Sequence, residues 1–265
     1  IPHPRHASMA RHIRTTHALR LGFREVNGLK EADGHRIAER RGGGYDSIRD
    51  VWLRTGLPSS TLERLADADA FASLGLSRRD ALWVVRGLGR SGDKDDLPLF
   101  LAAEETGRET EADMHLPPMP PGEEVVMDYR HLRMSLRAHP VSFLRSHLDR
   151  LRAMPCDDLT RTADGRRVTV AGLIVVRQRP GTAKGTIFLT LEDETGIANI
   201  IVWAKVFEAH RAIVLGSRMV SVTGRMQSES GVIHVVADRI FNLTHLLGQL
   251  AADDAAGALT PPGEA

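Results

Sequence analysis

The residues with the clearest chemical potential in this chain would hold a polyanion rather than break bonds. Phe188 lies in the run Thr186 to Leu191, where Ile187, Leu189 and Leu191 share one face of a two-residue period. Thr186, Phe188 and Thr190 then share the other face. Arg177, Arg179 and Lys184 precede the ring, and Arg225 and Gln227 follow it. A ring among cations suits an unpaired nucleic-acid strand. The ring stacks a base, worth about 1–3 kcal/mol, and the cations hold phosphates. The same ring would equally suit burial beneath a neighbouring domain.

A second grouping is Asn27-Gly28-Leu29-Lys30 with Arg36 six residues on. A hairpin glycine frees backbone N–H groups at the start of the following helix, where the dipole adds partial positive charge. A phosphate fits there without base contact, with Lys30 and Arg36 as further cations. The alternative is a plain helical hairpin. Carboxylates group at Asp46/Asp50 and at Glu192/Asp193/Glu194, and the latter reads as turn chemistry. His3, His6 and His12 are irregularly spaced in an Arg-rich start and read as a basic lead-in rather than a metal site. One cysteine, Cys156, excludes an internal disulfide and a cysteine-ligated zinc.

Two kinds of element must position these groups. Val168 to Val176 alternates as a strand, and Pro180 to Gly185 is a turn-rich loop. Ile197 to Trp203 is a third strand, 206–215 a short helix, and strands from Met219 and Val232 follow. Strand, strand, strand, helix, strand, strand is the order of the five-stranded OB barrel, whose second and third strands form a ligand floor. Such barrels also bind oligosaccharides or proteins, so the fold alone leaves these open.

Upstream, the helix from Lys30 to Arg41, with Ile37 and Ala38 inward, ends at Gly42-Gly43-Gly44. Helices from Ser47 and from Pro58 follow, then a hairpin at Asp69-Ala70-Phe71 and a last helix capped by Ser77. This predicts a tandem helix–hairpin–helix domain with Trp52, Phe71 and Trp83 in its core. Its second hairpin lacks glycine and carries Asp69, so the second unit is expected to be structural.

The 265 residues are 42% hydrophobic and 26% charged with net charge +1. That suits one large or two small domains. Charge is segregated. Residues 1–41 hold nine bases against four acids, whereas 93–128 hold eleven acids against two bases. The acidic, proline-rich stretch reads as a linker. Within it Asp96-Leu97-Pro98-Leu99-Phe100 resembles a sliding-clamp docking peptide with Asp96 in place of glutamine, which makes Leu97, Leu99 and Phe100 weak partner-binding candidates or simple anchors. Helices are expected over 123–137 and 141–154, the second presenting Phe143, Leu144, Leu148 and Leu151. His139 before Pro140 reads as a hydrogen-bonded structural histidine. No run approaches the ~18 apolar residues of a membrane span.

Arg20 to Leu29 resembles the start of the helix–hairpin–helix domain of bacterial C-family DNA polymerases, relatives of the polymerase III alpha subunit. Asp128-Tyr129-Arg130, Leu136 to Pro140, Arg177 to Gly185 and Phe188 to Gly196 resemble the error-prone, damage-induced branch. The run from Phe188 is also similar to anticodon-binding barrels of aminoacyl-tRNA synthetases. That likeness implies base stacking on Phe188 and base reading by Asn199.

The resemblance implies nucleotidyl transfer with Mg2+ on palm carboxylates lying upstream of Ile1, so no catalytic residue or cofactor is expected in this segment. The expected fold is α+β and multidomain. Its parts are a basic lead-in over 1–18 (the end of a polymerase core), tandem helix–hairpin–helix over 19–88, a linker over 89–122 and connecting helices over 123–166. The OB barrel follows over 167–245, with a disordered tail over 246–265. The expected function is DNA binding for an error-prone polymerase in damage-induced mutagenesis and translesion repair synthesis. Its partners are duplex and single-stranded DNA, the clamp and accessory mutagenesis proteins, with no membrane, in the bacterial cytoplasm. A stand-alone single-strand-binding or protein-docking barrel is the alternative.

Overall fold

The computed structural model describes residues 21–88, 116–181, 185–229 and 231–251. The chain divides into two compact units, Ile1–Pro117 with His131–Arg133, and Pro118–Arg130 with Met134–Ala265.

In the first unit a 3-10 turn, Phe23–Glu25, leads to helices α1 (Glu31–Glu39), α2 (Ile48–Thr55), α3 (Ser59–Asp67) and α4 (Arg78–Gly87). Ser47 starts α2 by accepting a hydrogen bond from the Asp50 N–H, and Ser77 starts α4 by accepting from the Asp80 N–H, as N-caps do. Ile48, Leu57, Leu62, Leu65, Phe71 and Val85 are buried at the centre of the unit. Of the expected aromatic core, Phe71 is buried and Trp52 packs against it, but Trp83 is 55% exposed. The reason is helical period. Ala81 and Val85 take the inward face of α4, which turns position 83 outward. Ala38 is likewise exposed, because α1 buries Ile37 alone.

The hairpins also differ from expectation. Three Gly-Leu pairs, Gly28-Leu29, Gly56-Leu57 and Gly75-Leu76, stand in one relation to α1, α3 and α4. Each glycine has positive φ (74°, 61° and 78°). Each leucine reaches the core, and the next residue (Lys30, Pro58 or Ser77) is the N-cap. The second hairpin, between α3 and α4, therefore does carry a glycine, Gly75, six residues after Asp69, and Gly56 makes a further glycine turn between α2 and α3.

In the second unit α5 (Pro121–Leu132) is followed by a 3-10 turn at Pro140–Leu144, α6 (Arg145–Arg150) and another turn at Cys156–Arg161. The expected single helix over 141–154 is thus broken into short pieces, and Leu151 is 44% exposed. His139 does have a structural bond, its Nδ1 accepting from the Val141 N–H at 3.2 Å, and burial pushes its pKa down.

Strands β1 (Arg167–Gln178), β2 (Ile187–Glu192) and β3 (Ile197–Val202) come next, then α7 (Ala204–Gly216), β4 (Met219–Glu229), β5 (Val232–Asn242) and α8 (Thr244–Gln249). The strands close into a barrel in the order β1-β2-β3-β5-β4, with β3 and β5 parallel and the other pairs antiparallel. Closure leaves no open sheet edge. Val170, Leu189, Leu191, Ile200, Val202, Val222 and Val235 fill it. The alternation of β1 breaks at a bulge between Ile174 and Val176, leaving Val175 and Val176 exposed. Gly224 sits where β4 and β5 shift register. A Cβ there would lie 2.1 Å from the Val236 carbonyl oxygen.

Candidate nucleic-acid interface

Register assembles the barrel's outer face. Directly opposed residues on paired strands point to the same side. Gln178 opposes Phe188, Phe188 opposes Ile201, Ile201 opposes Val236, and Val236 opposes Arg225. These five form one row, with the Phe188 ring half-buried and Arg225 exposed at its end. Two residues along, Thr190 opposes Asn199, Asn199 opposes His234, and His234 opposes Gln227. This second row is polar throughout: hydroxyl, amide, imidazole, amide. Phe188 does point away from Ile187 and Leu189, as the alternation suggested, while Thr186 is buried.

The two rows do different chemistry. The first offers an aromatic and aliphatic floor ending in a guanidinium, and among the described residues Arg225 makes no ion pair. The second offers hydrogen-bond donors and acceptors. Asn199 is half-buried and one row from Phe188. His234 Nδ1 is buried and, among the described residues, has no hydrogen-bond partner.

The expected cations divide. Arg177 is committed elsewhere: its Nε donates to the Val214 carbonyl at 2.8 Å and its Nη2 to the Ser217 carbonyl. It caps the carbonyls at the C-terminal end of α7, where positive charge also meets the helix dipole. Arg179 is exposed, with its guanidinium 5.5 Å from the centre of the Phe207 ring, and Arg211 lies 5.8 Å from the same ring. Both distances suit a cation over an aromatic face. Lys184 lies outside the described residues, as do Leu97, Leu99 and Phe100. Trp203, which was not singled out, extends the face. It follows β3 with extended geometry (φ −63°, ψ 152°) and is 54% exposed. The signal was available: position 203 has the parity of Asn199 and Ile201, so a tryptophan there points outward.

In the helical unit the structure brings Gly28 and Lys30 together at the start of α1, but Arg36 sits in the last turn of that helix. Arg64, and not Arg36, is the arginine that lies beside the Gly28 turn. Its Nη1 donates to the Gly28 carbonyl at 2.7 Å. That leaves further donors on the guanidinium. Glu31 and Asp33 occupy the first turn of α1 and place negative charge where a phosphate would sit. Asp33 accepts from Thr61 at 3.3 Å, and Glu31 lies 3.6 Å from His35. The first turn of α3, behind the Gly56 hairpin, has no acid.

The carboxylate group at the β2–β3 turn is structural, as its sequence suggested. Asp193 Oδ1 accepts from the N–H groups of Thr195 and Gly196 and from the Thr195 hydroxyl. Its Oδ2 accepts from the Cys156 N–H at 2.8 Å and from Arg145 at 3.0 Å. Burial pushes the Asp193 pKa up, but the bonds from Thr195 and Cys156 and the Arg145 charge outweigh it, so the net shift is downward. The Cys156 thiol is pushed well up by burial and by Asp193, which keeps it protonated and unreactive. No group of three or more His, Cys, Asp or Glu able to hold a metal occurs among the described residues. Asp193, with its oxygens so engaged, does not fit a catalytic metal pair.

Comparison with known proteins gives two family matches: a helix-hairpin-helix motif over residues 6–81 and an OB-fold nucleic acid binding domain over 168–243. The chain is 54% identical to error-prone DNA polymerase 1 of Rhizobium meliloti over 99% of its own length and 24% of that protein. It is also 54% identical to the error-prone DNA polymerase of Sinorhizobium medicae, again over 99% of this chain and 24% of that one. The chain thus spans about a quarter of the length of the curated relatives it matches. Among solved structures, asparaginyl-tRNA synthetase from Pyrococcus horikoshii aligns with 35% of this chain and 22% of its own, at 24% identity and a TM-score of 0.29.

Proposed function

From its membership of the error-prone DNA polymerases, over the quarter of their length that it spans, we propose that this chain handles DNA for such an enzyme in damage-induced mutagenesis and translesion repair synthesis. The helix–hairpin–helix unit holds the duplex backbone, and the OB barrel holds the single-stranded template. Nucleotidyl transfer, with Mg2+ on palm carboxylates, belongs to the remainder of the enzyme. Among the described residues, Asp50 is engaged at the start of α2 and Asp193 in the β2–β3 turn, and residues 1–265 alone should not extend a primer. Incorporation of nucleotides by the purified chain would overturn that.

The observation that carries the single-strand assignment is the row Gln178–Phe188–Ile201–Val236–Arg225. A half-buried ring on an apolar floor stacks a base without regard to its identity, and the guanidinium at the row's end meets the backbone. Template must be held whatever its sequence, so stacking suits the task better than base reading. The duplex assignment rests on the glycine hairpins, whose contacts are to backbone phosphate and carry no sequence information.

The test is fluorescence anisotropy with a labelled oligothymidylate and, separately, a blunt duplex. Phe188→Ala should weaken single-strand binding by about 1–3 kcal/mol and leave duplex binding as it was. Unchanged single-strand affinity in a folded Phe188→Ala chain would remove the barrel from this role and favour a protein-docking barrel.

A further inference from the structure

Where β4 and β5 shift register, the barrel gathers arginines around a bulge. With Ala237 buried inside the barrel, regular alternation along β5 would turn Arg239 inward as well. The register prevents this. Thr223 opposes Arg239 and Gly224 opposes Ala237, so Asp238 has no opposite on β4. The extra residue reverses parity, and Asp238 and Arg239 are both exposed while Ile240 is buried. On the other side of β4, the exposed Arg225 stands directly opposite the exposed Arg167 of β1.

Like charges directly opposite on paired strands repel each other. Arg167 and Arg225 are such a pair, and Arg239 stands one diagonal step from Arg225, about 7–8 Å away. Asp238 relieves part of this by pairing with Arg167 at 3.4 Å, but the two side chains are 48% and 62% exposed. A surface pair of that kind contributes little. Arg225 and Arg239 make no ion pair among the described residues. Asp164, three residues before Arg167, accepts from the Ser228 N–H at 2.9 Å. Thr169 and Thr223, on the same face as Arg167 and Arg225, hydrogen-bond each other at 2.8 Å. The ground beside the arginines is therefore hydroxyl, which gives an apolar partner little to bury.

Repelling charges with unspent guanidinium donors are completed by an anion. Guanidinium pairs with phosphate through two parallel bonds. Three of them a diagonal step apart suit a chain of phosphates better than one carboxylate. We propose that Arg167, Arg225 and Arg239 form a seat for the phosphate backbone of DNA, and that Asp238 holds Arg167 until phosphate displaces it. The proposal rests on the reading that this chain binds DNA, and not on stacking by Phe188. It adds a contact that positions the backbone without reading sequence, and a carboxylate that competes with the phosphate and so sets the strength of that contact.

The test titrates the full chain by anisotropy with a labelled oligothymidylate and, separately, a blunt duplex, from about 50 to 200 mM salt. Arg239→Gln and Arg167→Gln should each weaken binding several-fold at the lowest salt. Each should also reduce the salt slope by about 0.7 on a single strand or about 0.9 on a duplex, the value of one phosphate contact. A reduced slope with one form of DNA alone assigns the backbone to that form. Asp238→Asn should tighten binding several-fold. Arg225→Gln should weaken binding yet raise the denaturation midpoint at low salt, because it removes the repulsion, whereas loss of a purely structural arginine would lower that midpoint. If the arginine variants and Asp238→Asn leave affinity and slope unchanged with both forms of DNA, the seat does not exist, and a continued effect of Phe188→Ala then keeps the stacking floor. If Phe188→Ala is silent while the arginine variants still reduce the slope, the seat stands and the stacking floor falls.

Discussion

Under the proposed function, the barrel and the helical unit would offer DNA two different kinds of surface. On the barrel the groups proposed to bind are outward side chains on paired strands, Phe188, Asn199, His234 and Arg225. In the helical unit they would be backbone N–H groups at the turns of Gly28, Gly56 and Gly75, each of which adopts positive φ. A side-chain site can be deleted without touching the fold. A backbone site cannot, because the glycine that frees the N–H groups also turns the chain so that Leu29, Leu57 or Leu76 reaches the core. Mutations should therefore separate binding from stability in the barrel and join them in the hairpins.

The sharpest challenge to that division is Gly224, a barrel position where backbone geometry dominates. A methyl group there would meet the Val236 carbonyl oxygen at 2.1 Å, so β4 and β5 must separate. Gly224→Ala should destabilise the chain by about 3 kcal/mol, the scale of overpacking a closely fitted site. Chemical denaturation reads this directly. Single-strand affinity should fall with it, because Arg225 follows Gly224 and Val236 belongs to the stacking row. A barrel that tolerates this change at full stability would show that its closure is looser than the register implies.

Asp193 is the next largest effect, and it acts on stability alone. Its folded pKa lies below that of a free aspartate, about 3.9. The hydrogen bonds from Thr195 and Cys156 and the Arg145 charge outweigh the burial that opposes them. A depressed carboxylate contributes stability that is fully present above the unfolded pKa and is lost as pH falls through the folded value. The wild-type barrel should therefore lose stability between about pH 4 and lower values. Asp193→Asn should start lower and flatten that acid limb. Denaturation midpoints across pH 2.5–6, about the range spanned by carboxylate titration, check both. An unchanged acid limb would mean that other carboxylates govern it.

Arg177 and Arg179 bring the comparison inside the barrel. They look alike in sequence, yet one caps α7 and the other is exposed over the Phe207 ring. Arg177→Ala should cost about 1 kcal/mol of stability, the scale of a charge-assisted bond at a partly exposed site, with little direct effect on binding. Arg179→Ala should leave stability nearly unchanged, weaken single-strand binding several-fold and reduce its salt dependence. The reverse pattern would mean that Arg177 leaves α7 when DNA arrives.

These contrasts also mark what the sequence could convey. A period of two assigns each barrel residue a face, so Phe188, Asn199 and Arg225 fell on the outer surface once the strands were recognised. The same period failed at the bulge after Ile174, because one extra residue reverses parity and nothing local marks it. Trp203 was within reach of the same rule but was counted only as a strand end. Where Arg177 would spend its hydrogen bonds was not legible, since Val214 and Ser217 meet it only after the chain has folded. In the helical unit the caps at Ser47 and Ser77 were readable, whereas Trp83 was placed inside because tryptophan is large and apolar. The helical period sets Ala81 and Val85 inward instead. The Gly-Leu repeat was visible in the letters. It becomes informative when the three glycines prove to share one backbone conformation two residues before an N-cap.

The smallest expected effect addresses which hairpin meets phosphate. Glu31 and Asp33 stand in the first turn of α1, and the first turn of α3 has no acid. A carboxylate beside a helix N-terminus satisfies the dipole that a phosphate would otherwise satisfy, an effect of about 0.3–1 kcal/mol. Glu31 is the cleaner probe, since its only described partner is His35 at 3.6 Å on an exposed surface, whereas Asp33 also accepts from Thr61. If phosphate sits at the Gly28 hairpin, Glu31→Gln should tighten duplex binding about two- to four-fold at low salt, with single-strand binding to the barrel unchanged. If phosphate sits at the Gly56 hairpin, the same substitution should do nothing, and Ser60→Glu in α3 should weaken duplex binding by a similar factor. Either outcome assigns the backbone contact to one turn, and a null result from both variants would place the duplex away from these hairpins.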